Sequence, residues 1–160
     1  MVPQIVSPVL VLVLTSLGLL HLSWAMGSHF PCANEQALAR AVVGRRGITR
    51  MPSAAACVFM AFWLLVAALW AAALGGFVHL PMNERLSKWL LALGGIAAGM
   101  VFMGRGIVGI LPAFERALPE LPFLKLNRRI YSPLSFLIGV GFILLVLALP
   151  NWGWRLGLGG

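Results

Sequence analysis

Four long apolar runs, separated by short polar and basic stretches, organise this chain of 160 residues. They cover about 5–27, 54–76, 88–111 and 131–150. A helix needs about 20 apolar residues to cross roughly 30 Å of hydrocarbon, and each run meets that length. Inside a bilayer the backbone must satisfy its own hydrogen bonds, so each run is predicted to be a helix. The expected architecture is all-α: a single membrane domain over residues 1–160, built as a bundle of four transmembrane helices. The first run carries Ser23 and Ala25, small residues of the kind found at a signal cleavage site. No Lys or Arg precedes it, as a secretory leader requires, so it is taken as a retained span.

The connecting segments add detail. Asn34 is placed to cap a short helix through Leu38 and Val42 that ends at Gly44. Such a helix is expected to lie on the membrane surface, with Arg45 and Arg46 near anionic headgroups. Pro112, Pro119 and Pro122 are expected to break any long helix in the third loop. Asn83 before Glu84 reads as the start of the third span.

Composition agrees with the pattern. The chain is 61% hydrophobic and 10% charged, against about 25% charged in an ordinary soluble domain. Its formal charge of +8 comes from 12 Lys and Arg against 4 acidic residues, all Glu. The basic residues cluster in the loops, which is how topology is encoded, and no nucleic-acid-binding motif accompanies them. Arg40, Arg45, Arg46 and Arg50 sit in the first loop, and Arg116, Lys125, Arg128 and Arg129 in the third. Only Arg85, Lys88 and Arg155 fall on the other side. The positive-inside rule therefore puts the first and third loops in the cytoplasm and both termini outside. Trp70, Trp89, Trp152 and Trp154 fall near the outer interface, and Trp24 and Tyr131 near the inner one, as aromatic anchors do.

Polar groups within a span are costly, so they mark bundle interiors or sites. His21 shares one face of the first helix with Trp24 and Ser28. Arg105, between Gly104 and Gly106, either snorkels to headgroups or turns inward to hold an anionic or carbonyl group. Asn127, Arg128 and Arg129 precede Tyr131, Ser132 and Pro133 at the start of the fourth span. The ends of the first and third helices and the start of the fourth meet at one membrane face. His21, Trp24, Arg105, Asn127 and Tyr131 are therefore the candidate ligand-binding residues, suited to a lipid headgroup or a quinone carbonyl. Gly95 and Gly99 form a Gly-x-x-x-Gly pair for close helix packing, within the chain or across a homodimer.

Several chemistries lack support. No carboxylate lies within the spans to act as a base or couple protons. No His, Cys or Glu spacing resembles a metal site, and no glycine-rich loop follows a strand. His21 and His79 lie near opposite faces, which argues against shared haem ligation. Cys32 and Cys57 read as ordinary small apolar residues. No catalytic residue and no cofactor is assigned.

The stretch His21-Leu22-Ser23-Trp24-Ala25-Met26-Gly27, Arg105, Phe123 and Tyr131-Ser132-Pro133-Leu134 together resemble a family of small bacterial membrane proteins. That family is catalogued as domain of unknown function 3995. The resemblance covers nearly the whole chain. It implies a four-helix fold in a bacterial inner membrane and supplies no activity. Two positions depart from the family pattern: Asn127 stands where an acidic residue is usual, and Ser135 where a cysteine is. A glycine and an acidic residue that usually follow the arginine are not clearly kept around Val108 and Gly109.

The functional expectation is a non-catalytic accessory subunit, or a module that binds lipid or cofactor within a membrane assembly. A small membrane enzyme acting on a lipid or quinone comes second. A dimeric transporter comes third, because the outer halves of the spans are nearly all apolar. The expected partners are membrane lipids, with other membrane subunits or a second copy of the chain as alternatives, and no nucleic acid.

Overall fold

The computed structural model describes residues 2–78 and 84–149, without the side chains of 84–86. The elements are α1 (Val2–Ala25), α2 (Glu35–Val42), α3 (Ala54–Leu74), α4 (Glu84–Val108), α5 (Pro112–Ala117), α6 (Leu121–Leu126), a π-helical turn (Asn127–Tyr131) and α7 (Ser132–Leu147). No strand occurs among the described residues. Four helical segments are long and apolar enough to cross a membrane: Val2–Ala25, Ala54–Leu74, Ser87–Val108 and Leu121–Leu147.

Two antiparallel pairs make the bundle. In the first, α1 lies on α3: the Ser7 hydroxyl donates to the Ala71 carbonyl at 2.8 Å, and Gly18 faces Ala61 and Leu65. Lipid tails are as apolar as leucine, so this pairing rests on packing and on the interhelical hydrogen bond. In the second pair, α4 lies on α7. Gly95 meets Val146, Gly99 meets Ile143, Gly139 meets Met103, and Gly106 lies against the backbone of Ser132 and Phe136. The Gly95–Gly99 pair is thus consumed within the chain. The pairs join through a core that includes Leu10, Leu14, Leu64, Phe142 and Leu145. Phe102 stacks parallel to Phe142, with centroids 6.1 Å apart. Trp70 of α3 donates its indole N–H to the Leu91 carbonyl of α4 at 3.1 Å.

The fourth span begins earlier than its apolar run suggests. Pro122 does not break it but sits in the first turn of α6, where a missing N–H costs nothing. Pro133 lies about three turns further in and cannot donate to the preceding turn. The chain widens there into the π turn, and the Ser132 N–H reaches back to the Asn127 carbonyl. Lys125, Arg128 and Arg129 consequently lie on this continuous helix rather than in a loop.

α2 forms where expected. The Asn34 side chain accepts the Ala37 N–H at 2.9 Å, and Gly44 follows with a positive φ of 75°. Its apolar face does not lie free for a membrane surface: Leu38 and Ala39 are fully buried, and the Phe123 ring of α6 occupies the space beside Gly44. Ser28 lies beyond the end of α1, where its hydroxyl accepts the Phe30 N–H, and so does not share the His21 face. Asn83, His79, Trp152, Trp154 and Arg155 lie outside the described residues.

Three glutamates lace the Arg-rich segments together at one end of the bundle, hereafter the basic end. Glu120 accepts the Gly47 N–H at 2.9 Å and Arg40 at 3.0 Å. Glu115 receives both Nε and Nη2 of Arg128 at 2.5 Å. Glu35 accepts the Met51 N–H at 3.0 Å. The Gly47 amide and then Arg40 hold the Glu120 carboxyl below its ordinary range, and the Arg128 hydrogen bonds do the same for Glu115.

Candidate functional site

Between the two helix pairs lies a groove of about 1140 Å³. Its walls are apolar: Leu17 and Leu20 from α1, Met60, Trp63 and Val66 from α3, and Ala97, Val101 and Phe102 from α4. Trp70 closes one end by filling the space that a side chain at Gly94 would take. The other end, at the basic side, carries the polar lining: His21, Cys32, Arg105, Tyr131 and Ser135, with Trp24 beside them. Leu38, Ala41 and Val42 of α2 also line the groove at that end.

Four of the five candidate ligand-binding residues line this groove: His21, Trp24, Arg105 and Tyr131. The His21 Nδ1 pairs with the Leu17 carbonyl at 2.8 Å. A carbonyl only accepts, so Nδ1 carries a proton, and Nε2 is the ring's remaining polar atom. The imidazole packs against Trp24, with centroids 4.7 Å apart, and the Trp24 N–H donates to the Phe30 carbonyl at 2.7 Å. The Tyr131 hydroxyl donates to the Ala41 carbonyl at 3.3 Å and so ties the π turn to α2.

Asn127, the fifth, takes a different place. It is fully buried and both ends of its amide are used. Its Oδ1 accepts from Arg105 Nη2 at 3.0 Å and from the Ser132 hydroxyl at 3.1 Å, and its Nδ2 donates to the Gly109 carbonyl at 2.5 Å. Asn127 therefore orients Arg105. The guanidinium also stacks over the Phe114 ring at 4.9 Å. Its Nη1 is buried without a hydrogen-bond partner. The carboxylates of Glu35, Glu115 and Glu120 are all engaged in the loops, so no described carboxylate balances the Arg105 charge.

Sequence reasoning missed Trp63, Trp70 and Phe102 as groove walls and Gly109 as an acceptor. α3 is apolar on every side, so no amphipathic face marks which residues turn inward. Among the described residues, no three His, Cys, Asp or Glu side chains gather as a metal site.

Comparison with curated proteins and with solved structures returns no match. A family profile described as protein of unknown function (DUF3995) matches residues 14–142, a stretch that includes the groove's polar end. With its four apolar spans and most of its length inside that match, the chain belongs to the DUF3995 family.

Proposed function

We propose that this protein is a non-catalytic membrane module that holds one amphiphilic molecule of the bilayer in the groove between its helix pairs, within a larger membrane assembly. The observation that carries this reading is polarity along one cavity. An apolar groove of about 1140 Å³ has its hydrogen-bonding groups at one end and a tryptophan at the other. Ligand pockets run to about 1,000 Å³, so the groove suits a molecule as long as a lipid or quinone. An apolar surface of this size is filled in a bilayer by a chain, since an empty groove forfeits dispersion contacts on both walls.

The loop charges support a bacterial inner-membrane protein with its basic end in the cytoplasm and both termini outside. The amphiphile's head would then lie at the cytoplasmic face.

The test is native mass spectrometry of the protein released from its own membranes. The expected result is a defined small-molecule mass, lost in Ala97→Trp, which fills the groove from an exposed wall position. An unchanged adduct in that variant would refute the reading. A catalytic reading has one observation in its favour: His21 Nε2 is uncommitted at the polar end. It requires a turnover that His21→Ala abolishes.

A further inference from the structure

The polar end of the groove carries a charge that the chain does not neutralise. Arg105 is half-buried and lines the groove. Its described partners are an amide oxygen and an aromatic ring, both uncharged. Its Nη1, packed beside Gly109 and Ser132, is the only buried side-chain nitrogen or oxygen among the described residues without a hydrogen-bond partner. The residues around the guanidinium thus leave it short of an acceptor as well as of a counter-charge. Each described carboxylate is spent elsewhere: Glu120 on Arg40 and Gly47, Glu115 on Arg128, and Glu35 on Met51. A partly desolvated guanidinium without a counter-charge is costly, and the cost falls when a bound anion supplies one.

From this we infer that the molecule in the groove is an anionic lipid, with a phosphate or carboxylate head at Arg105 and one long apolar tail running toward Trp70. The inference rests on the groove reading proposed above. A guanidinium suits such heads because it keeps its positive charge and makes strong charge-assisted hydrogen bonds to carboxylate and phosphate oxygens. Asn127 holds the group in place, with its Oδ1 on Nη2 and its Nδ2 on the Gly109 carbonyl. His21 Nε2 offers a second contact at the same end. The exposed Arg45, Arg46 and Arg129 add positive potential around the basic end and favour an anion over a neutral head.

Trp24, Trp63 and Trp70 line the groove and report on its occupant. The experiment uses the full chain in phosphatidylcholine nanodiscs, with Trp89, Trp152 and Trp154 replaced by Phe. Two probes are titrated: octadecyl phosphate and octadecanol, each with a dibrominated chain that quenches tryptophan on contact. The phosphate is expected to quench at a mole fraction about tenfold lower than the alcohol. Arg105→Gln should shift the phosphate curve to the alcohol's, and Arg105→Lys, which keeps the charge, should restore most of the difference. Inorganic phosphate should leave the quenching unchanged; full displacement by it would show that the head alone is recognised and overturn the lipid assignment. Equal curves for both probes in the parent protein would overturn the anionic head and point to a neutral carbonyl ligand, while leaving the groove reading intact. Quenching by neither probe beyond that seen with Ala97→Phe, which fills the groove without adding a tryptophan, would sink the groove reading itself.

Discussion

Helix α4 presents small residues to two neighbours and makes two different seams. Toward α7, Gly95, Gly99 and Gly106 bring the backbones together, so that a side chain at Gly106 would strike the backbone of Phe136 and Ser132. Toward α3, Ala97 and Val101 meet no such partner and border the groove. Small residues therefore permit close approach without enforcing it. The outcome depends on the opposite face: α7 answers with Gly139, while α3 answers with Trp70, whose ring takes the space beside Gly94, and with Trp63, which lines the groove. The polar groups add to the contrast. Ser7 is satisfied within the tight α1–α3 seam, whereas Arg105 lines the groove with its Nη1 unpaired beside Gly109 and Ser132.

This contrast can be broken on purpose. The largest effect is expected from Gly106→Leu, which overpacks the tight seam and should cost about 3 kcal/mol in a reversible unfolding titration in detergent. Gly104 has open space around its position, and Gly104→Leu should stay within about 0.5 kcal/mol. Equal losses in the two variants would contradict the seam described here. Asn127→Leu comes next, at about 2 kcal/mol, because it strands the Ser132 hydroxyl, the Gly109 carbonyl and Arg105 Nη2 together. Ser7→Ala should cost only about 0.6 kcal/mol, typical of an interhelical hydrogen bond in a membrane protein; a value several times larger would mean that Ser7 does more than bridge to Ala71.

The smallest effect concerns the loop lattice. The Glu120 carboxyl is depressed in the folded chain, so its contribution is present at neutral pH. It begins to fade as pH falls past the ordinary value of 4.5 and is lost through the lowered folded value. Protection of the Gly47 amide, its exchange rate relative to the intrinsic rate at each pH, should fall over that interval, and Glu120→Gln should flatten the response. Protection that is insensitive to acid in the parent protein would show that the Gly47 contact does not hold the loop.

The spans were legible in the sequence because each carries enough consecutive apolar residues to cross a bilayer. The α2 cap was legible because Asn34 and Gly44 have positional chemistry. The convergence of His21, Trp24, Arg105 and Tyr131 followed from topology. Three features were not legible. Pro122 reads as a breaker in sequence but opens a helix, and only its place in the first turn decides between the two. Asn127 reads as a ligand group, yet both ends of its amide are held by Arg105 of α4, Gly109 of the turn that follows and Ser132 of α7. The faces of α3 and α7 carry no polar side, so apolar periodicity does not distinguish core from lipid. Trp70 consequently looks like an interface anchor in sequence and is a groove end in structure.

The most direct measurement is electron cryomicroscopy of the protein in a lipid bilayer. The groove should hold one elongated density between α3 and α4, with its head at Arg105 and His21 and its tail ending near Trp70. Helices α3 and α4 closed on one another along Ala97 and Val101, with no molecule between them, would contradict the account.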